Sequence, residues 1–140
     1  MTKYILSIAL VFAAFSTAEA GQPYDLRGGD AQNLVDSLQR DLRVWPYQGR
    51  RMTQISLQNF TCYGPSNVGR RYIPAYCEFN NRFAPSFQMY RVEGQDAMDF
   101  MNILSLLRIR MGGADQRSIG FSVFECINTG FGFNCHLEKN

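Results

Sequence analysis

Apolar residues recur at helical spacing twice along the chain. Ala31, Leu34, Val35, Leu38 and Leu42 form one stripe, and Ala97, Phe100, Met101, Leu104 and Leu107 form another. The spacing predicts amphipathic helices over 30–44 and 95–110. Each segment opens with Asp-Ala shortly after glycine, so Asp30 and Asp96 are expected as N-caps. Met98, Ile103 and Leu106 fall outside the second stripe, which makes that helix apolar nearly all round. Such a helix is either the central helix of the domain or turns a surplus face to a partner or a second copy of the chain.

Elsewhere the period is two. Polar residues alternating with branched and aromatic ones predict strands over 52–63, 71–80, 86–92, 118–127 and 132–138. The segment "SFQMYRVEG" (86–94) reads as a third strand of the first unit, while 21–29 and "WPYQGRR" (45–51) read as ordered loops. Helix followed by antiparallel strands gives an α+β sandwich with helices covering one face of the sheet.

Cysteine placement sharpens this outline. The chain has four cysteines, and in an exported protein of this size they suggest disulfides. Strand parity selects Cys62–Cys77 and Cys126–Cys135. The first pairing sets Phe60 opposite Phe79, and the second sets Phe124 opposite Leu137, so both hairpins have the form Phe-x-Cys … Cys-x-apolar. A zinc site fails on spacing, because no Cys-x-x-Cys pair occurs.

Each clasped hairpin follows a helix, so the fold expected is two tandem helix-plus-hairpin units, 28–92 and 94–138, in one antiparallel sheet. The outline resembles the tandem helix-plus-sheet repeats of the β-lactamase inhibitory protein family, which also clasps each repeat with a disulfide. That likeness is one of architecture. It carries over no binding residue and implies only that such repeats can serve as a protein-binding surface.

The segment "MTKYILSIALVFAAFSTAEA" (1–20) has a positive start at Lys3, an apolar stretch and a small-x-small end at Ala18-Glu19-Ala20. These features predict a signal peptide and a secreted or periplasmic domain over 21–140, with no membrane span after cleavage. Asn59-Phe60-Thr61 is a glycosylation sequon, usable only in a eukaryotic source.

The net charge of +2 is too small to imply a nucleic-acid partner. After residue 20, Lys139 is the only lysine, and every other fixed cation is arginine. Compositional bias accounts for this as well as recognition does. No nucleophile, metal-ligand or phosphate-loop motif is present, so no metal or cofactor is expected.

His136, the single histidine, falls opposite Glu125 in the hairpin register. That dyad supports an alternative reading as a small hydrolase, but an ordinary cross-strand polar pair is the favoured explanation, since no nucleophile is evident. The stronger lead is the tip of the first hairpin, where Arg70, Arg71 and Tyr72 face Tyr63 across the loop, with Arg50 and Arg51 before the strand. Trp45, Tyr47 and Tyr90 could extend such a patch or serve as core. The function expected is a non-catalytic binding module for a protein or anionic envelope partner.

Overall fold

The computed structural model describes residues 22–49, 53–83, 88–112 and 118–140. Residues 1–20, expected as a signal peptide, and the Arg50-Arg51 doublet lie outside the described residues. In chain order the elements are β1 (Pro23–Arg27), α1 (Gly28–Arg40), β2 (Tyr47–Gln48), β3 (Thr53–Tyr63), β4 (Ser66–Val68) and β5 (Arg71–Ile73). They continue with β6 (Tyr76–Asn81), β7 (Met89–Glu93), α2 (Gln95–Leu106), β8 (Ser118–Asn128) and β9 (Phe133–Lys139).

The main sheet runs β1-β9-β8-β3-β6-β7, with β2 added beside β3 and β4–β5 forming a separate hairpin. Every described strand pair is antiparallel. Both helices bury one stripe against the sheet: Ala31, Leu34, Val35 and Leu38 from α1, and Ala97, Phe100, Met101 and Leu104 from α2. The fold is therefore α+β, as the periodicity indicated.

Cys62 is bonded to Cys77 and Cys126 to Cys135, each pair directly opposed in the register. Around them the core is aromatic. The ring of Phe60 lies 4.9 Å from Phe124, 5.5 Å from Phe100, 5.6 Å from Phe79 and 5.8 Å from Phe121. Packed rings at such centroid distances add to what their burial contributes.

Five sequence-based expectations need correction. Within 45–51, expected as a loop, Tyr47–Gln48 form strand β2 paired with β3. Residues 23–27 form a paired strand and not a loop, with Tyr24 and Leu26 turned to the sheet's dry face beside Leu137 and Cys135. The predicted strand 71–80 is interrupted at Pro74-Ala75, and its first part belongs to the small β4–β5 hairpin. A proline has no N–H to give the ladder, so the main sheet resumes only at Tyr76.

The helices are also shorter than their apolar stripes. Both give way to a left-handed arginine, Arg43 (φ 57°) or Arg108 (φ 62°), followed by a buried Val44 or Ile109. Pro46 further disfavours helix at Trp45. Finally, Asp30 and Asp96 are not caps. Each lies inside the first helical turn, where its charge meets the positive end of the helix dipole.

Candidate functional site at the hairpin tip

Strand β3 leaves the sheet at Tyr63 and the chain returns at Tyr76, so the intervening residues project beyond the Cys62–Cys77 bridge. This extension folds on itself, with Ser66 opposite Ile73, Asn67 opposite Tyr72 and Val68 opposite Arg71. It contributes little to the core. Val68 and Tyr72 are 63% and 64% exposed, and Arg70 and Arg71 are exposed beside them.

Between this extension and the sheet lies an open depression of about 230 Å³ lined by Tyr63, Gly64, Pro65, Ser66, Ile73 and Tyr76. The Tyr63 and Tyr76 rings lie 5.1 Å apart. Arg91, on β7, lays its guanidinium 3.9 Å from the centre of the Tyr76 ring, so that Tyr63, Tyr76 and Arg91 follow one another across the sheet's outer face. Cations favour the negative face of an aromatic ring.

Arg91 also donates to Glu93 at 2.6 Å and Glu78 at 2.8 Å. The Glu93 bond foremost, and then Glu78, hold its proton more firmly. Arg91 is thus committed to its neighbours, whereas Arg70 and Arg71 extend into solvent. Tyr76 and Arg91 were missed from sequence. Parity could have found Tyr76, which adjoins Cys77 and must share the outer face with Tyr63.

The other candidates among the described residues do not gather at the tip. Thr53 opens β3 at the end opposite the tip. An eleven-residue strand spans about 33 Å. Tyr47 pairs with Gln54 at that same far end and stacks on Phe83. Tyr90 stacks on Phe79 at the edge of the core. Trp45 is exposed in the loop after α1, and Leu106 is the most exposed of the surplus apolar residues on α2 at 76%.

His136 is opposite Glu125 in register, yet its ring bonds elsewhere. Nδ1 lies 2.6 Å from Asp25 Oδ1 and Nε2 lies 3.1 Å from Glu138 Oε1. The Asp25 bond, then the Glu138 bond, raise its pKa above the ordinary histidine value, against a smaller opposing effect of burial. With a carboxylate on each nitrogen, neither is open to take a proton from a hydroxyl. Ser56, in the same cross-sheet row, is two strands away, about 10 Å.

Asp41, Asp96 and Asp99 each bring a carboxylate oxygen within 4.8 Å of the others, where α1 ends and α2 begins. They are the described group best placed to hold a cation. Buried Asp41, however, already accepts from Ser37 Oγ at 2.7 Å and pairs with Arg40. Among the described residues, no helix is long and apolar enough to cross a membrane. No family model, curated protein or solved structure matches this chain.

Proposed function

We propose that the chain is an exported, non-catalytic binding module whose recognition surface is the tip of the first hairpin. The observation that carries this reading is the β4–β5 extension. It displays Val68, Arg70, Arg71 and Tyr72 to solvent on a base fixed by Cys62–Cys77. Adaptable contact residues on a rigid frame are the usual basis of recognition. The partner is a protein or other envelope component with an anionic face, since the free cations of the tip are arginines suited to bidentate contact.

The frame is two tandem units, and positional correspondence supports this. Tyr24, Leu26, Gly28, Asp30, Ala31, Leu34, Val35 and Leu38 stand in the same order as Tyr90, Val92, Gly94, Asp96, Ala97, Phe100, Met101 and Leu104. Gly28 and Gly94 share positive φ. The sheet order also reads the same from either edge once β1, β3 and β6 are matched to β7, β8 and β9. On this reading β7 opens the second unit instead of closing the first. Each unit then lends its first strand to the other's hairpin.

Replacing Arg70 and Arg71 together with serine tests the surface. The melting temperature should stay nearly unchanged, because neither residue packs on the core. Capture of the native partner from the source's envelope should weaken, most clearly at low salt, where screening is least. Undiminished capture would move the binding face away from the tip.

A further inference from the structure

The two edge strands are held by ion clusters of opposite construction. On β7, Arg91 reaches Glu93 along its own strand and Glu78 across on β6. On β9, His136 reaches Glu138 along its own strand and Asp25 across on β1. Each cluster is one base between two acids, and in each a cross-strand pair lies directly in register. In the first the base sits on the edge strand; in the second it sits on the inner strand.

The bases differ in one further respect. A guanidinium keeps its charge at any working pH, while an imidazole exchanges its proton near neutrality. We infer that Asp25, His136 and Glu138 form a proton-controlled latch on edge strand β1, whereas Arg91 with Glu78 and Glu93 is a permanent clasp on β7.

Geometry supports the latch first. Carboxylates only accept, so both contacts of His136 are satisfied together only when both ring nitrogens carry protons. Loss of one proton turns a lone pair toward a carboxylate oxygen, and one contact becomes repulsive. The groups facing the ring are Asp25 and Arg27 from β1, Glu125 from β8 and Glu138 from β9. Three acids against one guanidinium favour the imidazolium, and the raised pKa agrees with that balance.

Strand β1 has few other attachments. It is five residues long, pairs on one side only among the described residues, and offers Tyr24 and Leu26 to the dry face. Because the folded pKa of His136 lies above its unfolded value, the latch's contribution is complete below the unfolded pKa of about 6.5. It is lost as pH rises through the folded pKa. The strand is therefore held in mild acid and loosened in alkali.

Hydrogen exchange of the intact protein tests this, with β7 amides as the internal reference and intrinsic exchange rates corrected at each pH. Protection of β1 relative to β7 should fall about two- to fivefold from pH 5 to pH 9, the size expected of an exposed ion pair. His136→Arg should keep β1 protected throughout, and His136→Gln should leave it at the lower level throughout. Should His136→Gln fail to fold, Asp25→Asn, an exposed change, reports through the same ratio. A pH-independent ratio in the unmodified protein overturns the latch. So does a pH-dependent ratio that survives His136→Gln or Asp25→Asn.

Discussion

Phe60 and Phe131 show how differently one residue type contributes in this chain. Phe60 is fully buried and meets four other phenylalanine rings, two of them on the neighbouring strand β8, one on α2 and one on its own hairpin partner β6. Phe131 projects from the 129–132 turn with its whole surface in solvent. Phe60→Ala should cost about 3–5 kcal/mol, because the rings around it cannot close the gap. Phe131→Ala should change stability by less than about 0.5 kcal/mol. Urea denaturation of the two variants measures both, and equal effects would contradict the packing described. Parity identified Phe60 as core from the sequence, since it lies two positions before a bridged cysteine. The partners of His136 were not legible in that way. Asp25 is 111 positions distant, on a strand the sequence pattern did not reveal.

At the scale of elements, strand β1 was hidden by its composition. "PYDLR" offers only two apolar inward residues among a proline and two charges, and edge strands need little more. The small β4–β5 hairpin was hidden for a related reason: its strands bury no apolar face, so periodicity leaves no mark. The long strands and both helices were legible because each covers the core along its length. The entry to α1 gives a sharper test. Gly28 has φ 58°, whereas Gly29 is not left-handed and has open space around a potential Cβ. Gly28→Ala should destabilise by about 1 kcal/mol, since alanine strains at positive φ. Gly29→Ala, a helical position, should stabilise by about 0.4–1 kcal/mol. Thermal melts of the two single variants should therefore move in opposite directions.

Across the whole molecule, the tip extends from β3 and β6, whereas β1 lies at the sheet edge three strands from β3. The pairing of β1 with β9 also bears on the order of events in folding. The β8–β9 hairpin closes a loop between cysteines nine positions apart, whereas β1 finds β9 only across more than a hundred residues. Long-range closure is slow because its entropy must be met before any contact forms. Strand β1 should thus dock after the transition state, onto a hairpin already made. Asp25→Asn, measured by stopped-flow in mild acid, should then speed unfolding a few-fold and leave the folding limb in place, as expected where native contacts form late. A slowed folding limb would put β1 in the nucleus. If the limb holds, the resistance of this protein to unfolding is set at its edge, by the strand that arrives last and leaves first.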